Sequence, residues 1–393
     1  MVKDKESIIN FVDSIKQTLT DIALDIHEHP ETPFQEQRSM EILTSFLAEN
    51  GFSIEKDLAG LPTSFRAAST HYTGNPTIAL LAEYDALPEL GHACGHNLIG
   101  PASIGAAAAI HHLSFQINGQ LIVMGTPAEE GGGGKIEMLK HGIFNNVDAA
   151  MMMHPSNQTR CVSLMLALQE VKFTFHGKSA HAAAFPYEGV NALDAVIQTF
   201  NNINALRQQL RDDVRVHGII SKGGTIPNII PDKASAIFYI RALDIPYFKK
   251  TIKRVIKCAE GAALSTGCTL SKEEKEWVYH PFKPNYFLAN LFRKNLAHLG
   301  IKEDSIKEEG GKGSSDIGNL SQIVPTIHVD IGICDWNTVA HSPEFTEAAM
   351  SDRGIERMIS GTKALAMTVY DLFSSPENIK EIKQEFQCLS KQA

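Results

Sequence analysis

No apolar stretch in this 393-residue chain approaches the ~20 residues needed to cross a bilayer. The opening segment, "MVKDKESIINFVDSIKQ", places charges where a secretory signal needs an apolar core. Both absences predict a cytosolic protein with no membrane partner. Positive charge is scarce as well. Acidic side chains exceed Lys and Arg by nine, and a basic cluster such as Lys249-Lys250 with Lys253-Arg254 reads as one solvated helix face. A nucleic-acid partner is not expected, because phosphate binding needs a concentrated basic surface. The six cysteines (94, 161, 258, 268, 334 and 388) lack the spacing of a disulfide framework, which predicts reduced thiols. The chain also has no Gly-x-Ser-x-Gly elbow and no His-Glu-x-x-His, and "GGGGKIE" lacks the spacing and the hydroxyl of a phosphate loop. No internal repeat and no low-complexity segment is present.

What is present suits two domains, since a single core seldom grows to this length. Ile, Val or Leu at 8, 12, 15, 19, 22 and 26 forms a helical stripe, and "EQRSMEILTSFLAENG" repeats the pattern up to Gly51. "TIALLAE" (77–83) and "QLIVMG" (120–125) flank a small-residue helix over about 99–114. Continuous apolar runs of this kind predict parallel strands buried on both faces, in a βαβ unit. "DAAMMM" (148–153) and "PTIHVDIG" (325–332) predict further buried strands. From about 163 to 279 the pattern changes. "VKFTF" alternates, a helix follows over about 189–211, then "DVRVHGII" and "KASAIFYIRA", a helix over about 246–264, and "TLSKEEKEWVY". That βαββαβ order is the order of a ferredoxin-like sandwich. The expected fold is therefore α/β: a mostly parallel sheet with helices on both faces, in a discontinuous domain of residues 1–162 and 280–393, interrupted by an inserted domain at 163–279.

Polar residues with chemical potential follow the predicted strand ends, where ligands of open α/β sheets gather. "GHACGHN" (91–97) places Cys94 between two histidines in a glycine-rich turn. With Glu130, His154 and His341, Cys94 and His96 make a mixed oxygen, nitrogen and sulfur donor set larger than one tetrahedral ion requires. Two ions sharing a bridging Cys94 thiolate would use it, and such a thiolate would be poorly nucleophilic. "PAEEGGGG" sets two carboxylates side by side, which divides labour: Glu130 on a metal, Glu129 as general base. A Cys94/His96 nucleophile pair and an inert buried thiol stay open as alternatives.

The chain also resembles the M20 metallopeptidase and amidohydrolase family, in the branch of amino-acid-conjugate hydrolases, aminobenzoyl-glutamate hydrolase and aminoacylase-1-like dipeptidases. The resemblance is carried by "LDIHEHPETPFQE", "EYDALPELGHACGHN", "PAEEGGGGK", "MHP", "GKSAHAAAFPYEGVNALDA", "GGTIPNIIPDKA", "GSSDIGN" and "HSPEF", in that order along most of the chain. It implies two divalent ions per chain, zinc or manganese first and cobalt or nickel as further options, on the ligands named above. Asp85 is implied to support a ligand from behind, while Glu83 stands where other members have a metal-binding histidine. The inserted domain is implied to act as lid and dimerisation domain. Within it, His181 would stabilise the oxyanion in a partner subunit's site, and Asn228 and Arg241 would hold the substrate's carbonyl oxygen or carboxylate. "GSSDIGN" (313–319) is expected to line the pocket near His341. The expected function is hydrolysis of an amide bond in a small peptide or an N-acyl or N-aroyl amino acid by a homodimer. A cysteine-dependent amidohydrolase acting through a Cys94 thioester, and a non-catalytic metal- or peptide-binding protein on the same scaffold, are the rival readings.

Overall fold

The computed structural model describes residues 2–71, 73–113, 118–305 and 313–392. It contains two compact units. One comprises the chain up to Leu164 and most of the chain from Phe282 onward, and the other comprises Met165–Pro281, joined by Gly313 and Ser314. In chain order the strands are β1 (Phe52–Lys56), β2 (Phe65–Ser69), β3 (Thr77–Ala82), β4 (Gln120–Gly125), β5 (Ala149–Ser156), β6 (Ala167–His176), β7 (Arg215–Lys222), β8 (Lys233–Ala242), β9 (Thr269–Glu274) and β10 (Thr326–Gly332).

The first unit is built on a sheet of order β1-β2-β4-β3-β5-β10. Strands β4, β3, β5 and β10 run parallel, with β2 and β1 added antiparallel at one edge. The parallel strands are those whose apolar runs predicted burial on both faces, and the helix His96–His112 makes the crossover from β3 to β4. This helix starts earlier than the periodicity suggests, so His96 is its first residue rather than part of a loop. Position 114, the expected last residue, lies outside the described residues. The apolar stripe at the start of the chain does not form one helix. It breaks at Ile15 (φ −102°, ψ 6°) into Val2–Ser14 and Lys16–Glu28, while Ile8, Val12, Leu19, Ile22 and Ile26 still enter one core. Strands β1 and β2 carry no strong sequence signal, because β1 is a half-exposed edge and β2 is short and alanine-rich.

The second unit is a four-stranded antiparallel sheet of order β7-β8-β6-β9. Helices Ala192–Arg207 and Ile245–Thr266 connect its strands in the βαββαβ sequence expected. Both helices begin at capping side chains. Asn191 accepts a hydrogen bond from the Leu193 N–H, and Asp244 from the Tyr247 N–H, which satisfies N–H groups that have no partner within the helix. The first of these helices is shorter at both ends than the apolar pattern implied, and β9 ends at Glu274 instead of running on to Tyr279. No helix among the described residues is long and apolar enough to cross a membrane.

Candidate metal centre

The carboxyl ends of the parallel strands carry the chemistry. Glu83 and Asp85 follow β3, Glu129 and Glu130 follow β4, His154 lies within the last residues of β5, and His341 comes after β10. Cys94 sits in the turn just before the helix that starts at His96. Gly95 between them has φ +79°, and a Cβ there would stand 2.7 Å from the Pro155 side chain. Only glycine combines the left-handed backbone with this approach to β5, so the turn can press Cys94 toward His154. Two other residues at the centre, Ala128 (φ 60°) and His341 (φ 64°), hold left-handed backbones without being glycine. Such strain persists where surrounding structure enforces it.

Candidate donor atoms of all five expected ligands lie in overlapping groups. Those of Cys94, His96 and His154 are within 4.8 Å of one another, and so are those of Cys94, Glu130 and His341. Cys94 is common to both, as a bridge requires. Its Sγ is 3.6 Å from His154 Nε2, while Glu130 Oε1 is 3.5 Å from His341 Nε2 and 3.9 Å from His96 Nε2. A third group joins Glu129 to His96 and Glu130. His96 Nε2 and Glu130 Oε1 are buried and make no hydrogen bond within the protein. An unsatisfied buried polar atom costs about 1–3 kcal/mol. Several converging on one region, in a set of thiolate, imidazole and carboxylate donors, fit divalent cations.

Asp85 aims one of these donors. Its Oδ1 lies 2.9 Å from His96 Nδ1, and its Oδ2 accepts the Glu130 N–H at 2.9 Å. With Nδ1 engaged, His96 presents Nε2 to the cluster, the arrangement by which a carboxylate orients a metal-binding imidazole.

Burial and neighbouring charge set the proton affinities. Burial, followed by the carboxylates of Glu130, Glu83 and Asp316, pushes Glu129 well above the usual carboxylate range. Burial would also raise Glu130, but the facing His341 imidazole, 3.5 Å away, and the charge of His96 bring it below. His154 is lowered to about 4, first by burial and then by His328 and His96, so it offers a neutral imidazole lone pair near pH 7. Burial and then Glu130 raise the Cys94 thiol. A dication beside Cys94 and Glu129 opposes both effects, because positive charge favours thiolate and carboxylate.

Sequence reasoning missed a buried ion triad behind this cluster. Lys135 ends the glycine run after Glu130. Its Nζ donates to Glu83 Oε1 at 2.5 Å and to Asp316 Oδ1 at 2.7 Å, with all three side chains essentially inaccessible. The "GSSDIGN" segment therefore sends Asp316 inward to Lys135, while Ser315 Oγ accepts the Ile317 N–H. A lysine in a run of glycines was the available clue.

The remaining candidates belong to the second unit. His181 is exposed, its Nδ1 accepting the Ala183 and Ala184 N–H groups at 3.3 and 3.1 Å. Its segment runs beside that of Asn228, whose carbonyl accepts the Ala182 N–H at 3.0 Å. Arg241, on β8, donates to Ser314 Oγ at 3.1 Å and keeps a buried Nε with no partner.

Comparison with known proteins places this architecture. Residues 167–266 match the peptidase dimerisation domain of the M20 family. The Xaa-Arg dipeptidase of Mus musculus is 38% identical over 397 residues, covering 96% of this chain and 90% of the mouse protein. The chain belongs to the M20 peptidase family. A p-aminobenzoyl-glutamate hydrolase polypeptide of Escherichia coli is a further M20 relative, 36% identical over 77% of this chain and 68% of its own length. A Bacillus subtilis structure described as a dinuclear metal binding peptidase from the M20 family shares the fold, with TM-score 0.69 and 21% identity over 91% of this chain and 99% of that one. A putative aminohydrolase from methicillin-resistant Staphylococcus aureus shares it too, with TM-score 0.76 and 19% identity over 94% of this chain and 100% of that one. As an M20 enzyme the protein is a hydrolase of C–N bonds, as the motifs implied.

Proposed function

We propose that this M20 hydrolase cleaves the amide bond of a dipeptide or an N-acyl amino acid, using two divalent cations. Cys94, His96 and His154 would hold one ion, Cys94, Glu130 and His341 the other. The observation that carries this reading is that Cys94 alone belongs to both donor trios, with Glu129 at their edge. Bound dications would supply Lewis-acid polarisation of the scissile carbonyl and make a coordinated water more acidic.

The residues of the chain do the rest. Asp85 holds His96 in register, and Glu129 takes the proton of the attacking water and delivers it to the leaving amine. Asn228 and Arg241 hold the carbonyl oxygen or the carboxylate of the substrate, the guanidinium fork suiting a carboxylate. His181 stabilises the oxyanion within a homodimer. Geometry supports the roles in the first unit, and the family pattern supports those in the second. The dipeptidase relative favours a dipeptide, and the p-aminobenzoyl-glutamate hydrolase relative favours an N-aroyl amino acid.

The test pairs elemental analysis of the purified protein with hydrolysis of dipeptides and N-acyl amino acids before and after chelation. About two ions per chain and chelation-sensitive turnover are expected, and Glu129→Gln should keep its metal while losing on the order of 10²–10⁴ in turnover. Activity that survives complete metal removal but disappears on thiol alkylation would give the chemistry to Cys94 instead.

A further inference from the structure

Lys135 lies between two buried carboxylates, a costly arrangement. Apolar side chains of similar volume are often at least as stabilising as a buried ion cluster, so packing alone does not account for it. Its geometry is specific. Asp316 accepts twice from the same residue, from Nζ at 2.7 Å and from the Lys135 backbone N–H at 2.9 Å, which fixes the lysine at the start of the helix Gly134–Lys140. Nζ then takes Glu83 Oε1 at 2.5 Å.

Only one oxygen of Glu83 is used in this way. Oε2 is buried without a hydrogen-bond partner and stands 3.6 Å from His96 Nε2, itself buried and unpartnered. A hydrogen bond would require about 2.7–3.2 Å. His96 is therefore set between two carboxylates, with Asp85 bonded at Nδ1 and Glu83 stopped a few tenths of an ångström short of Nε2.

We infer that Lys135 is a positioning residue that holds Glu83 away from His96, leaving Nε2 open to a cation. Released from Lys135, Glu83 closes on Nε2 and occupies the donor. Glu83 is on this account a restrained competitor and not a ligand. The inference rests on the dimetal reading given above.

Zinc affinity, measured by competition with a chromogenic chelator, tests it on the full chain. Lys135→Met should weaken zinc binding by 10- to 100-fold, the usual effect of losing an outer support of a metal ligand. Glu83→Leu should bind within about threefold of wild type, and the double variant Lys135→Met/Glu83→Leu should recover wild-type affinity, as expected when two side chains act through one another. Wild-type affinity in Lys135→Met would overturn the inference. So would an equal loss in Glu83→Leu, which would make Glu83 a ligand. If Lys135→Met does not fold, Lys135→Met/Asp316→Asn restores the net charge of the triad and still releases Glu83, so the same loss is expected. Failure of both to fold, with normal affinity in Glu83→Leu, would mark the triad as purely structural and overturn the role. A wild-type protein that binds no zinc would instead refute the dimetal reading itself.

Discussion

Glu36 is a buried carboxylate that ties the loop before Glu129 to the start of the chain. Its Oε1 accepts the Phe34 and Ala128 N–H groups, both at 2.9 Å, and its Oε2 accepts the Thr63 hydroxyl at 2.7 Å. Burial, reinforced by the charge of Asp85 and opposed by the Thr63 bond, raises its pKa from 4.5 to about 7. The folded state thus holds a proton that the unfolded chain has released, and stability from this group is lost as pH rises from about 4.5 through about 7. At roughly 1.4 kcal/mol per pH unit, the loss amounts to about 3 kcal/mol above neutral pH. Glu36→Gln removes the titration and preserves the bonding pattern, since an amide oxygen can accept both N–H groups and its NH₂ can donate to the Thr63 oxygen. Urea unfolding of both proteins between pH 4.5 and 8 is the assay. The variant should gain on wild type by about 3 kcal/mol across that interval and then level off. A difference that stays constant with pH would refute the assignment of a raised pKa to Glu36.

Two further outcomes are expected. A Cβ at Gly134 would lie 2.0 Å from the Pro127 carbonyl oxygen, so Gly134→Ala must displace the backbone around Glu129 and Glu130. It should lower stability by about 1–3 kcal/mol, seen as a drop in thermal midpoint, and an unchanged midpoint would contradict the packing described. If His181 acts across a dimer, mixing inactive His181→Ala and Glu129→Ala chains with subunit exchange should restore roughly a quarter of wild-type activity by random pairing. No recovery after confirmed exchange would place His181 and Glu129 in action within one chain.

The local features of this protein were legible because burial leaves a periodic trace. "QLIVMG" and "TIALLA" had to be strands buried on both faces, and the βαββαβ order of the second unit followed from alternation and helical period alone. The adjacency of Glu129 and Glu130, and the Cys94-x-His96 spacing, were likewise local. The break at Ile15 and the edge strands β1 and β2 were not legible, because an edge or a junction imposes little apolar period. A bridging Cys94 was expected from the donor set and a supporting Asp85 from the family resemblance, but the pairing of Asp85 with His96 and the Glu83–Lys135–Asp316 triad needed the tertiary structure. Lys135 and Asp316 are 181 positions apart, and a polar pair that meets only through the packing of separate segments has no period to read. Hydrophobic pattern was enough to specify the scaffold. Which charges meet behind the proposed metal ligands was decided only when the strands were laid side by side.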